Sequence, residues 1–295
     1  MIVTLIFGAM FSAGAWSQTT TFKGSYDGAS IFGGACKTSF DFSGAEPAAS
    51  GAYPVFVYMV GTVESFDNAA ALAAVNRMAA KGYVSATVEY ASATFGSCPV
   101  IESKTNCIYN SSDTSAISQL CARDKADCSK GIVVGGFSQG AIIAILAKNY
   151  NPNVLAAYGM GVSNRYSNFD LSKCVSDGKR DLASSNLRAV DGEDDQFAGS
   201  ASGWGKAKHA MVQASLTNVL AVKCAADAYD CLTDNGSGWL IVQTSQKEQG
   251  SADHCYTRLR GCASNQRTVD AAWSSGDASW QLNANLEWLA GFTKK

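Results

Sequence analysis

Gly136-Phe137-Ser138-Gln139-Gly140 places a serine between two glycines, after the apolar run 131–135 and before a second one at 141–146. A serine hydroxyl becomes a competent nucleophile when a neighbouring base takes its proton, and imidazole does this near neutral pH. The chain has only two histidines. His254 lies in Ser251-Ala252-Asp253-His254-Cys255-Tyr256, beyond the apolar stretch 239–242, and His209 lies in a segment that reads as helix. Four acids, Asp191, Glu193, Asp194 and Asp195, follow a short apolar run at 187–190. A hydroxyl, an imidazole and a carboxylate are the parts of an acyl-transfer site, provided the fold brings them together.

The elements that would do so can be read from hydrophobic periodicity. Residues 53–60 form an almost continuous apolar run, as expected of a strand buried on both faces. Residues 68–80 have helical spacing and propensity, with Gly82 placed to end them, and 83–90 read as a second strand. Strand, helix and strand in that order predict parallel pairing through a crossover. The alternation continues with helices at 113–122 and 139–148, strands at 131–135, 154–159 and 187–190, a helix at 202–220, a strand at 239–243 and a terminal amphipathic helix at 280–292. The predicted fold is α/β, a mostly parallel sheet covered by helices on both faces and braced by disulfides. Residues 18–52 read as short strands and turns, and 159–186 as a small lid or substrate wall over an open cleft. A histidine on a loop at the carboxyl edge of such a sheet can reach Ser138, whereas one inside an outer helix, as read for His209, cannot. A sharp turn at Ser138 would leave no room for side chains at 136 and 140, and a helix starting at Gln139 would aim its N–H groups at negative charge forming beside the serine.

This G-x-S-x-G, with a buried strand before it and a helix after it, resembles the nucleophile turn of the α/β-hydrolase superfamily, and the resemblance extends over 53–292. The form GFSQG is similar to that of several small esterases and thioesterases. The resemblance implies Ser138 as nucleophile, an acid after a later strand and His254 as base. Gly192-Glu193-Asp194-Asp195 followed by Phe197 matches the family's Gly-x-x-Asp and apolar pattern, which implies Asp195 as the acid; Asp194, one register away, is the alternative. The oxyanion donors implied are the N–H of Gln139 and one from the loop after the first main strand, where no HGGG sequence occurs and Thr62 is preferred to Gly61. Tyr256 and Phe197 are the pocket walls singled out among the aromatics. Neither metal nor organic cofactor is expected, although four carboxylates in five positions are also chemistry that suits calcium.

Charged residues make up 16% of the chain against about 25% in an average globular protein, and the net charge is −2 with no basic run, which excludes phosphate-backbone binding. Ten cysteines without close CxxC pairing argue for an oxidising compartment. Proximity suggests the pairs 121/128, 224/231, 255/262 and 98/107, leaving 36/174. Residues 1–17, apolar from Ile2 and ending in small residues, read as a signal peptide, although no Lys or Arg precedes Lys23; a buried first element and a membrane anchor are the alternatives. Residues 18–295 are expected to form one catalytic domain. The expected product is a secreted or extracytoplasmic serine hydrolase of carboxylic esters, small or polymer-linked, acting through an acyl-enzyme, without nucleic-acid partner or stable membrane insertion. A serine peptidase of the same fold is an alternative. So is a nonenzymatic extracellular binding domain, which would be favoured if His254 or the acid lay far from Ser138.

Overall fold

A computed structural model of the chain describes residues 18–28, 36, 39–162, 165–166, 169–175, 178–197, 225, 228–263 and 268–294. The predicted signal peptide, the predicted helix at 202–220 with His209, and Cys224 lie outside these residues.

Strands β1 (Thr19–Tyr26) and β2 (Phe40–Pro47) form an antiparallel ladder at one edge of a nine-stranded sheet. The expected short strands of this region are thus eight residues each. The continuous apolar runs supply the interior: β3 (Val55–Met59), β4 (Val84–Val88), β5 (Ile132–Phe137) and β6 (Val154–Met160), with every residue of β3, β4 and β5 buried. After a two-stranded hairpin, β7 (Arg165–Tyr166) and β8 (Phe169–Asp170), the sheet continues with β9 (Leu187–Gly192), β10 (Asp230–Leu232) and β11 (Gly238–Val242). The strand order is β1-β2-β4-β3-β5-β6-β9-β11-β10. All pairs from β4 to β11 are parallel, and the remaining pairs at the two edges are antiparallel. The four loops that follow β3, β5, β9 and β11 therefore leave from the same edge of the sheet.

Helix α1 (Ala69–Ala80) begins where the Asn68 side chain accepts the N–H groups of Ala70 and Ala71, and it packs with the C-terminal helix Leu282–Ala290. Helices α2 (Cys98–Tyr109), α3 (Ala116–Cys121) and α4 (Gln139–Leu146) form the other layer. All eight residues of α4 are buried because it lies between the sheet and α2, which suits its unbroken Ala/Ile/Leu composition. Short α5 (Leu171–Val175) follows the small hairpin, so the described residues of 159–186 carry no large helical cap, and none of them lines the cavity at Ser138 as a lid or substrate wall would.

Helix α2 was not predicted by periodicity, and it corrects two of the disulfides. Cys98 and Cys107 sit near its opposite ends, about 13 Å apart by the helical rise, and cannot bond to each other. The bonds are instead Cys36–Cys107 and Cys98–Cys174, so α2 is tied at one end to the segment before β2 and at the other to α5. Cys121–Cys128 and Cys255–Cys262 pair as their spacing suggested, and Cys231 is also in a disulfide. Among the described residues no helix is long and apolar enough to cross a membrane.

A buried ion pair anchors the chain after β11. Lys247 Nζ lies 2.7 Å from Asp270 Oδ2, with both side chains fully buried, and also donates to the carbonyls of Tyr256 and Arg258 at 2.7 Å each. Removing one member strands the other charge without a partner. Lys247→Met should destabilise the protein by about 3–5 kcal/mol in denaturant titration, and Lys247→Met/Asp270→Leu should recover part of the loss.

Candidate active site

At the end of β5 the chain turns at Ser138 with φ 55° and ψ −117°, a conformation that side-chain-bearing residues seldom adopt. The turn is held by the Ser138 N–H donating to the Met160 carbonyl at 2.8 Å and by the Ser138 carbonyl accepting the Ala141 N–H at 3.0 Å. The serine hydroxyl does not cap the helix it precedes. The flanking glycines are dictated by space: a Cβ at Gly136 would lie 2.2 Å from the Gly140 carbonyl oxygen, and one at Gly140 would lie 2.2 Å from that of Met59.

The loop after β11 carries His254 to this turn. Its Nε2 lies 2.9 Å from Ser138 Oγ, and its Nδ1 lies 2.6 Å from Asp195 Oδ2. The imidazole is held between two phenyl rings, Phe137 at 5.0 Å and Phe197 at 4.7 Å between centroids. Asp195 is fully buried, and its other oxygen accepts the Phe197 N–H at 2.6 Å. Burial alone would raise the Asp195 carboxyl. The charge and hydrogen bond of His254, together with the Phe197 N–H, outweigh it and hold the group below the ordinary carboxylate range.

The other acids of this turn have different partners. Glu193 accepts the Thr244 N–H, and Asp194, the alternative acid, accepts the Thr244 hydroxyl at 3.1 Å, so both join the acid turn to the histidine loop. The backbone completes that link, with Asp194 N–H donating to the Ala252 carbonyl and Glu193 N–H to that of Val242, each at 2.9 Å. Asp253, beside the histidine, accepts the N–H groups of Cys255 and Cys262 and braces the disulfide loop.

On the oxyanion side, Glu64 Oε2 takes the Gly61 N–H at 2.8 Å. Among the described residues the N–H groups of Thr62 and Gln139 have no hydrogen-bond partner. The two positions are clasped together, since Gln139 Nε2 donates to Thr62 Oγ1 at 3.1 Å and to the Thr94 carbonyl at 2.9 Å. Lys104 of α2, a residue with no distinguishing sequence signal, donates to Gln139 Oε1 at 3.1 Å and to the carbonyls of Thr94 and Phe95. Burial lowers its ammonium to about 8.

A cavity of about 290 Å³ opens on Ser138 and His254. Phe95, Phe137 and Phe197 form its apolar wall, and Arg258, ion-paired to Glu64, lies on its lining. Tyr256 does not line it. The turn after His254 directs Tyr256 into the core, where it is fully buried, and Cys255 and Cys262 take the place on the wall expected for it. Tyr58 and Tyr90 are likewise core residues.

No protein-family model matches the sequence, and no curated protein matches it. Among solved structures, a dienelactone hydrolase-like promiscuous phosphotriesterase from metagenomic libraries is similar over 94% of this chain and 99% of its own, with a TM-score of 0.57 and 13% identity. The chain has an α/β-hydrolase-like fold. In an α/β-hydrolase fold the strand-to-helix turn, the acid after β9 and the histidine after β11 meet at the carboxyl edge of the parallel strands, and here they do so in hydrogen-bonding geometry. That Ser-His-Asp arrangement is equipped for hydrolysis.

Lys104 provides a test of the clasp. The unfolded lysine keeps its proton up to about pH 10.5, whereas the buried one releases it near 8, so the unfolded state binds more protons between those values. Folding stability from this group should therefore rise as pH increases from 8 to 10.5. The difference in urea-unfolding free energy between wild type and Lys104→Met should change in that direction across this window.

Proposed function

We propose that the chain is a secreted serine hydrolase of carboxylic esters that works through an acyl-enzyme. The observation that carries this reading is the continuous path from Ser138 Oγ to His254 Nε2 at 2.9 Å and from Nδ1 to Asp195 at 2.6 Å. His254 accepts the serine proton as Oγ attacks the ester carbonyl, and Asp195 fixes the tautomer and balances the imidazolium. The N–H groups of Gln139 and Thr62 stabilise the oxyanion, because both are unpartnered among the described residues and joined by the Gln139 side chain. The imidazolium returns its proton to the leaving alcohol, and water, deprotonated by the same imidazole, then releases the acid and regenerates Ser138. No step calls on a metal or an organic cofactor.

The aromatic wall and the cavity volume favour an acyl group that is apolar near the carbonyl and of modest size. Export is supported by the disulfides, which a reducing cytosol would not maintain, and by the apolar segment 1–17. A protein that retains this scaffold only to bind would have no need of an imidazole held between serine and carboxylate.

The test is turnover of p-nitrophenyl esters of graded acyl length, beside aryl-sugar and polymeric esters and a p-nitrophenyl phosphotriester, the last chosen because the similar solved structure is that of a promiscuous phosphotriesterase. Short and aryl acyl groups should be preferred, and Ser138→Ala should lower kcat by at least about 10,000-fold. Equal turnover by wild type and Ser138→Ala would refute the acyl-enzyme, and a phosphotriester preferred over every ester would refute the substrate class.

A further inference from the structure

Asp191 is assigned no part in that mechanism, yet it touches its machinery. The run expected to end at 190 continues as strand to Gly192, so Asp191 is an interior position of β9 and is fully buried. Its Oδ1 accepts the Gly192 N–H at 2.9 Å, while Oδ2 is buried and has no hydrogen-bond partner among the described residues. One oxygen of Asp191, one of Asp195 and a ring nitrogen of His254 lie within 4.8 Å of one another.

Two ionised carboxylates so close together, both shut away from solvent, repel strongly, and one proton between them removes the conflict. The proton belongs on the group with less support for negative charge. Asp195 receives the imidazole and the Phe197 N–H, whereas Asp191 receives a single backbone N–H. We propose that Asp191 stands as the neutral acid and that its Oδ2–H donates to Asp195, which makes it a positioning residue for the carboxylate behind His254. The hydrogen would satisfy the otherwise orphaned Oδ2 and give Asp195 a third donor, so that the carboxylate cannot pivot away from Nδ1. Burial first, and then the Asp195 charge, push the Asp191 carboxyl well above its usual range, in keeping with this assignment. The titratable groups acting on it are Asp195 on the acid turn and His254 and Tyr256 on the loop after β11; burial keeps the Tyr256 phenol neutral.

The inference rests on the hydrolase reading for its kinetic consequence but not for the protonation state, and the two can be tested apart. Asparagine reproduces a neutral donor in the same shape, so Asp191→Asn should keep kcat/KM within about threefold of wild type and leave the acidic limb of its pH profile in place. Asp191→Leu removes the donor and should lower kcat by about 10- to 100-fold with little change in KM, the kinetic equivalent of one hydrogen bond to a charged group. Independently of turnover, the infrared difference spectrum of wild type minus Asp191→Asn at neutral pH should contain the C=O stretch of a protonated carboxyl. Absence of that band would overturn the proposal even if the leucine variant fails to fold. So would a displaced acidic limb, or a loss of kcat in Asp191→Asn as large as in Asp191→Leu. If wild type hydrolyses no ester at all, the function proposed above fails while the infrared band still decides the state of Asp191.

Discussion

The hydrogen bond between Ser138 Oγ and His254 Nε2 joins residues 116 positions apart, and the bond behind it joins His254 to Asp195, 59 positions apart. A net contribution of about 1 kcal/mol per hydrogen bond could not gather three such loops from a disordered chain. The parallel sheet gathers them. Register pairs Gly136 of β5 with Gly159 of β6, Met160 of β6 with Val190 of β9, and Gly192 of β9 with Val242 of β11, so the sheet itself sets the loop ends side by side. The side-chain contacts refine positions that the buried sheet defines.

The same burial sustains the strain at the turn. A non-glycine residue at positive φ costs about 1–3 kcal/mol, and it persists only where the surroundings leave the chain no alternative. Around Ser138 those surroundings are β5 and α4, buried over their whole lengths, and the close backbone contacts at Gly136 and Gly140. The local rule broken at residue 138 is therefore compensated by the neighbouring packing. The hydroxyl, freed from capping duty, is left facing the imidazole.

Charge is buried around this site in three ways. Lys247 and Asp270 neutralise each other and hold the carbonyls of Tyr256 and Arg258, which steadies the histidine loop together with the Cys255–Cys262 bridge. Lys104 is met by neutral oxygens rather than an opposite charge, and burial makes it retain its proton less firmly. Asp195 keeps its charge because several donors converge on it. The ionic groups thus form a support beneath the reacting atoms: one positions the histidine loop, one the Gln139–Thr62 clasp and one the imidazole.

Much of this was legible in the linear chain because it follows from local constraints. The buried strands 53–60 and 131–135 announce themselves by unbroken apolar composition, the turn at Ser138 by glycines that only a close backbone approach requires, and the choice of His254 over His209 by its place on a loop after a strand. Cysteine pairs seven residues apart were also local enough to read. Helix α2 was not, because its Cys, Thr and Asn content gives weak periodicity and bridges at both ends help to hold it; without that helix, Cys98 and Cys107 look like partners. Tyr256 was assigned to the pocket because nearness in sequence does not specify which way a turn points a side chain. The sequence by itself determined the alternation of strand and helix and the residue types able to do the chemistry, since both depend on near neighbours along the chain. Only the tertiary structure decided which of four adjacent acids meets the imidazole, that Lys104 stands behind Gln139, and that Asp191 lies against Asp195, because each of these is a contact between segments that the sheet alone brings together.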